Sequence, residues 1–183
     1  MNVTDHSVPP SFIFPRKRID NYGQLMIKAP LDSTAILHEN GWMNRDIFLR
    51  WLQHFKHHVQ PTKKNPVLLI LDGHASHKEL AVTEYARENY VHMFSTPSHT
   101  IHKTQPLGRT FFKQFKSSFA SVNAEWMRRN PEAKITDYNV AALINTAFSQ
   151  AVFKITQNGF RCTRIYPLNC KIFSDIVGIL YSW

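Results

Sequence analysis

Asn65-Pro66-Val67-Leu68-Leu69-Ile70-Leu71-Asp72-Gly73-His74-Ala75-Ser76-His77 runs an unbroken apolar segment into an acid and two imidazoles. The residues from Val67 to Asp72 show no helical periodicity and are bounded by Pro66 and Gly73, so they read as a strand covered on both faces. Asp72 then emerges at the C-terminal end of that strand, the edge where α/β sheets place their ligands. Lys78 to Glu88 reads as a helix crossing back and Tyr90 to Ser95 as the next strand, which predicts a parallel βαβ step.

Upstream, Phe12-Ile13-Phe14 and Ala35 to His38 read as short strands, and Arg16-Lys17-Arg18 as a solvent-facing basic cluster. Asn44 is placed to cap a helix running to about His58, whose Ile47, Phe48, Trp51, Leu52 and Phe55 repeat at helical spacing and predict a core stripe. Trp42 and Trp51 are expected in the core. Downstream, Thr96 to Pro106 reads as a loop. Leu107 to Arg128 reads as one long helix burying Phe111, Phe112, Phe115, Phe119 and Trp126, with Lys113 and Lys116 free to point outward. Asn130-Pro131 breaks the chain, Thr136 and Asp137 cap a helix through Val152, and Gly159 is expected to stop the segment after it.

A chain of 183 residues, 43% hydrophobic and 13% aromatic, fits a single globular domain with a real core. Its apolar runs fall short of the ~20 residues of a membrane span and its start lacks the layout of a signal peptide, so an intracellular protein with no membrane partner is expected. Cys162 and Cys170 form no metal or disulfide pattern and are expected reduced. The 22 Lys plus Arg against 13 Asp plus Glu give a net charge of +9, which favours a polyanionic partner through counterion release. That surplus is concentrated, because from Asn89 to Ala124 Lys103, Arg109, Lys113 and Lys116 meet no acid.

Other chemistries are disfavoured by spacing. No Gly-x-x-x-x-Gly-Lys or Gly-x-Gly-x-x-Gly cradle is present, and Ser76 lies outside any Gly-x-Ser-x-Gly elbow. His74-x-x-His77 and His99-x-x-His102 lack the i, i+4 spacing and intervening glutamate of zinc hydrolases.

Four ordered motifs carry a resemblance: Asp72-Gly-His-x-Ser-His77; Thr96-Pro97-Ser98-His99-Thr100; Gln105-Pro106-Leu107; and Gly159-Phe160-Arg161 with Ile165-Tyr166-Pro167-Leu168-Asn169. Together with Val8 to Pro15 and Glu39-Asn40-Gly41-Trp42-Met43, they resemble the DDE superfamily endonuclease domain of pogo, Tigger and Jerky-type transposases. The resemblance implies an RNase H-like α/β fold, a mixed sheet flanked by helices. Residues 1–175 would be a partial domain without the opening strand and 176–183 an unmatched tail.

The resemblance also implies chemistry. Such enzymes cut DNA with three carboxylates holding two Mg²⁺ or Mn²⁺ ions about 3.5–4 Å apart. Asp72 takes the second position, with His74, His77, His99 and Gln105 supporting it. The third acid belongs directly after Gln-Pro-Leu, where this chain has Gly108, and no Asp or Glu occurs between Glu88 and Glu125. The first is absent, and Asp5 falls where the family turns between strands. One carboxylate holds Mg²⁺ poorly, because that ion demands octahedral oxygens and keeps its waters. Arg109, beside the lost acid, suits a phosphate contact better than a cation site.

The expectation is therefore a nuclear pseudoenzyme that binds DNA nonspecifically through Lys103, Arg109, Lys113 and Lys116, takes no small-molecule substrate, and does not cut. The alternatives are an active endonuclease with a non-standard carboxylate and a transposon remnant without function.

Overall fold

A computed structural model of the chain describes residues 1–4, 6–18, 22–96, 104–150 and 154–169. In chain order the elements are β1 (Ser11–Phe14), α1 (Tyr22–Leu25), β2 (Thr34–Leu37), α2 (Arg45–Val59), β3 (Val67–Leu71), a 3-10 turn (Ala75–His77), α3 (Leu80–Glu88), β4 (Val91–Ser95), α4 (Pro106–Arg109), α5 (Phe111–Arg129), α6 (Asp137–Gln150) and α7 (Lys154–Cys162). The class is α/β. In place of one mixed sheet, the described strands form two parallel pairs, β1 with β2 and β3 with β4, that are not hydrogen-bonded to each other.

The predicted βαβ step is present. β3 and β4 run parallel from Val67 opposite Val91 to Leu71 opposite Ser95, with α3 as the crossover. Buried Thr96 continues the join, its N–H and hydroxyl both donating to the Leu71 carbonyl at 2.9 and 3.2 Å. This ties down the strand end one residue before Asp72.

Coverage of β3 differs from the sequence expectation. Alternation along a strand sends neighbours to opposite faces. Val67, Leu69 and Leu71, with Val91 and Met93, join the core formed by Phe48, Leu52 and Phe55 of α2 and Val82 and Ala86 of α3. Leu68 on β3 and Phe94 on β4 face away and stay 61% and 54% exposed, so the described residues cover this strand pair on one side only. An apolar run reports that both faces are apolar, whereas covering a face needs a second layer.

The α2 helix follows its sequence. Asn44 Oδ1 accepts the Ile47 N–H at 2.9 Å, and Gln60 closes the other end in a left-handed conformation, its N–H donating to the Lys56 carbonyl. The Asn44 amide group in turn donates to His38 Nε2 at 3.0 Å, which pins loop to helix. Phe12, Phe14 and Ala35 of the first strand pair pack with Leu25 and with Ala141 of α6 in a second core. Arg16 bridges the same elements: Nε donates to Asp137 at 2.9 Å, an Nη donates to the Tyr138 hydroxyl at 3.0 Å, and the guanidinium sits 4.7 Å from that ring's centre. Lys17 pairs with Glu39, and Lys17 and Arg18 face solvent as expected, with Arg16 half-buried.

Three further expectations are corrected. The long helix divides at Thr110, whose non-helical φ of −132° separates α4 from α5. Phe111, Phe115 and Phe119 stack in a ladder at four-residue intervals against the edge of Phe148, and Phe112, one residue off that register, is 42% exposed. Gly159 lies inside α7 and does not end it. Trp51 does lie against the α2 core, stacked with Phe48 and Phe55, but Trp42 stands 77% exposed on the loop before α2.

Candidate functional site

Asp72 follows β3 directly, and three consecutive features hold it. The His74 N–H donates to its Oδ1 at 3.1 Å. His77, on the 3-10 turn, approaches the same Oδ1 and the Asp72 carbonyl with Nδ1, both at 3.3 Å. A carbonyl only accepts, so Nδ1 of His77 carries the proton and Nε2 the lone pair. The His77 ring lies 4.2 Å, centre to centre, from Phe48, and its side chain is 10% exposed against 38% for Asp72.

Burial pushes the His77 pKa below the usual histidine value, with His74 adding repulsion, while the Asp72 carbonyl and carboxylate pull the other way and lose. At neutral pH the contact is therefore a neutral imidazole on a carboxylate, a hydrogen bond that orients Asp72 without balancing its charge. His74 turns its own ring to Ser76, taking the Ser76 hydroxyl at 2.8 Å and its N–H at 3.3 Å through Nδ1. The turn is thus held by the side chains named in the sequence motif.

The second corner of the implied site is organised by packing. Gln105 leads into α4 with its carbonyl accepting the Arg109 N–H at 3.1 Å, and its side chain makes no cap bond. Pro106 is buried at the first turn, Gly108 is exposed within that turn, and the Thr110 hydroxyl closes onto the Pro106 carbonyl at 3.2 Å. The α7 helix lies against this turn so closely that a Cβ on Gly159 would stand 2.5 Å from the Pro106 carbonyl oxygen and 2.7 Å from Thr110 Oγ1. Close approach explains the glycine of the Gly159-Phe160-Arg161 motif, whose Phe160 is buried. Sequence reasoning missed this role because a glycine's neighbour across space leaves no local signal.

Arg109, Lys113 and Lys116 are exposed along α4 and the start of α5. His99, His102, Lys103 and Asp5 lie outside the described residues. A groove of about 430 Å³ between α5 and α6, lined by Val122, Trp126 and Leu143 with Glu125 and Arg129, contains none of the sequence-predicted site residues.

Among the described residues the donor set does not fit a pair of divalent metals. Asp72 offers one carboxylate already engaged by an N–H and an imidazole, and Gly108 offers no side-chain donor. Among the described residues no three His, Cys, Asp or Glu side chains are grouped to hold an ion.

The sequence model of the family described as "DDE superfamily endonuclease" matches residues 2–155. A curated protein of Cochliobolus lunatus described as "MFS-type transporter clz9" is 34% identical over 95 residues, covering 50% of this chain. The chain spans about a tenth of that protein's length, 10%. Among the described residues no helix is long and apolar enough to cross a membrane. No solved structure matches the chain.

Proposed function

The chain belongs to the DDE superfamily endonucleases, and from that premise we propose that it binds DNA in the nucleus without cutting it. The observation that carries this reading is Gly108, which stands where the family's third acid follows Gln105-Pro106-Leu107. The substitution lies within the chain and so does not depend on what precedes Met1. The net charge of +9 and the exposed Arg109, Lys113 and Lys116 support phosphate-driven affinity. Asp72 has its orienting hydrogen bonds, and among the described residues no group of three His, Cys, Asp or Glu side chains stands ready to hold an ion, which supports the reading. The same premise extends to the fold: the two parallel strand pairs, one ending at Asp72, are read as parts of an RNase H-like mixed sheet.

The test is a native gel of the purified chain with supercoiled plasmid and Mn²⁺, beside Asp72→Asn. Both proteins are expected to shift the plasmid and leave it supercoiled. Nicking by the wild type that disappears in Asp72→Asn overturns the proposal, and so does the absence of any shift.

A further inference from the structure

The start of α5 joins two features that the basic charge alone does not explain. Phe112 is a large apolar side chain left 42% exposed, while Phe111 beside it is buried and heads the stacked ladder with half-buried Phe115 and Phe119. Phe111 meets Phe112 edge to face, with centroids 5.8 Å apart at 67°, which braces the Phe112 ring. At about 100° per residue, Lys116 falls roughly 40° from Phe112 around the helix and Lys113 about 100°. One sector of the helix therefore presents an aromatic ring with two ammonium groups beside it.

This sector is cationic without compensation. The ion pairs of the described residues involve Arg16, Lys17, Arg45, His77, Arg128 and Arg129, and none involves Lys113 or Lys116. No acid occurs from Asn89 to Ala124. Trp42 is the barer aromatic at 77%, but Arg45, three residues on at the start of α2, is paired with Asp46. The Phe112 face combines an accessible ring with positive charge that no described ion pair balances.

Duplex DNA offers phosphates to such a face but hides its base faces in the stack. A strand with unstacked bases offers both, and an aromatic ring beside cations is the arrangement that binds it without reading sequence. We propose that Phe112 is a base-stacking residue and that the Phe112, Lys113 and Lys116 face takes single-stranded DNA in preference to duplex. The inference rests on the DNA-binding reading above and names which form of DNA that surface fits.

The experiment is fluorescence anisotropy of the full 183-residue chain with a labelled oligothymidine and with a duplex of equal length, across a salt series. Phe112→Ala is expected to weaken single-strand binding by about 5- to 100-fold, the range of losing one stacked base. Duplex binding should change by less than about 2-fold, because the phosphate contacts that supply it are untouched. Phe112→Trp should preserve single-strand affinity and have its added indole fluorescence quenched by the oligonucleotide. Lys113→Ala and Lys116→Ala should weaken both forms together and each lower the salt slope by about 0.7–0.9. Phe112→Ala losing both forms equally, or neither, overturns the stacking role while leaving DNA binding in place. A wild type that binds neither form overturns this inference and the DNA-binding reading together. Thermal melts of each variant separate lost contacts from lost folding, and a Phe112→Trp protein that folds but is not quenched counts against the proposal.

Discussion

The Asp72 corner and the Gly108 corner are built by different forces. At the first, a carboxylate is held by an N–H and a buried imidazole, with Phe48 behind the ring. At the second, a glycine helix approaches a proline turn so closely that one methyl group would collide with it. One corner holds the orientation of a side chain and the other holds a backbone shape. On the proposed reading, the supports of such a site outlast its donor set because they also hold the core together.

Substitutions that load one corner at a time test that contrast. The largest effect is expected from Phe48→Ala, which opens a cavity under His77 and among Leu52, Leu71 and Val82 and should cost about 3–5 kcal/mol in urea denaturation. Gly159→Ala follows. Its new methyl meets backbone at 2.5 Å, so about 1–3 kcal/mol of destabilisation is expected in the same assay. If Gly159→Ala proves neutral, the second corner is not packing-defined and the contrast fails.

The pH dependence of stability probes the first corner through His77. His77 has a folded pKa below its unfolded value of about 6.5, chiefly through burial. As pH falls below about 6.5 the unfolded chain takes up that proton first, so stability declines until the folded ring also protonates. His58 is shifted the same way, mainly by desolvation, and contributes to the same limb. His77→Gln should therefore show a shallower loss of urea midpoint on acidification than the wild type, with the His58 share remaining. An unchanged acid limb would mean that His77 is not held neutral against Asp72.

The smallest change is expected from Gly108→Asp. Gly108 sits exposed in a helical turn, so a side chain there meets no backbone restriction and should alter stability by no more than about 1 kcal/mol. No Mn²⁺-dependent plasmid nicking should appear. Nicking that does appear would show the turn still aims a carboxylate correctly, and the two corners would then be one site short of a side chain.

The local features were legible and the distant ones were not. The Asn44 cap, the α2 stripe and the parallel βαβ step follow from residue spacing, since each is decided within about one turn or one crossover. The turn after Asp72 was likewise foreshadowed by Asp72, His74, Ser76 and His77 lying within hydrogen-bonding reach along the chain. The split at Thr110, the exposure of Phe112 and Trp42, and the interior position of Gly159 depend on which element lies opposite. Periodicity marks a residue as apolar but does not say whether another layer arrives to cover it. The bare face of β3 and β4 is the same lesson in a strand, where a continuous apolar run suggested two covers and the fold supplies one.

That bare face also sets how the protein behaves in a tube. Leu68 and Phe94 present apolar surface beside strands whose outer edges have no described hydrogen-bonded neighbour. Strong salt strips nucleic acid from a basic chain by screening its charge, yet sulfate and phosphate salts drive apolar surfaces together. Self-association of the chain is therefore expected to rise in sulfate or phosphate and to fall in chloride salts at low protein concentration.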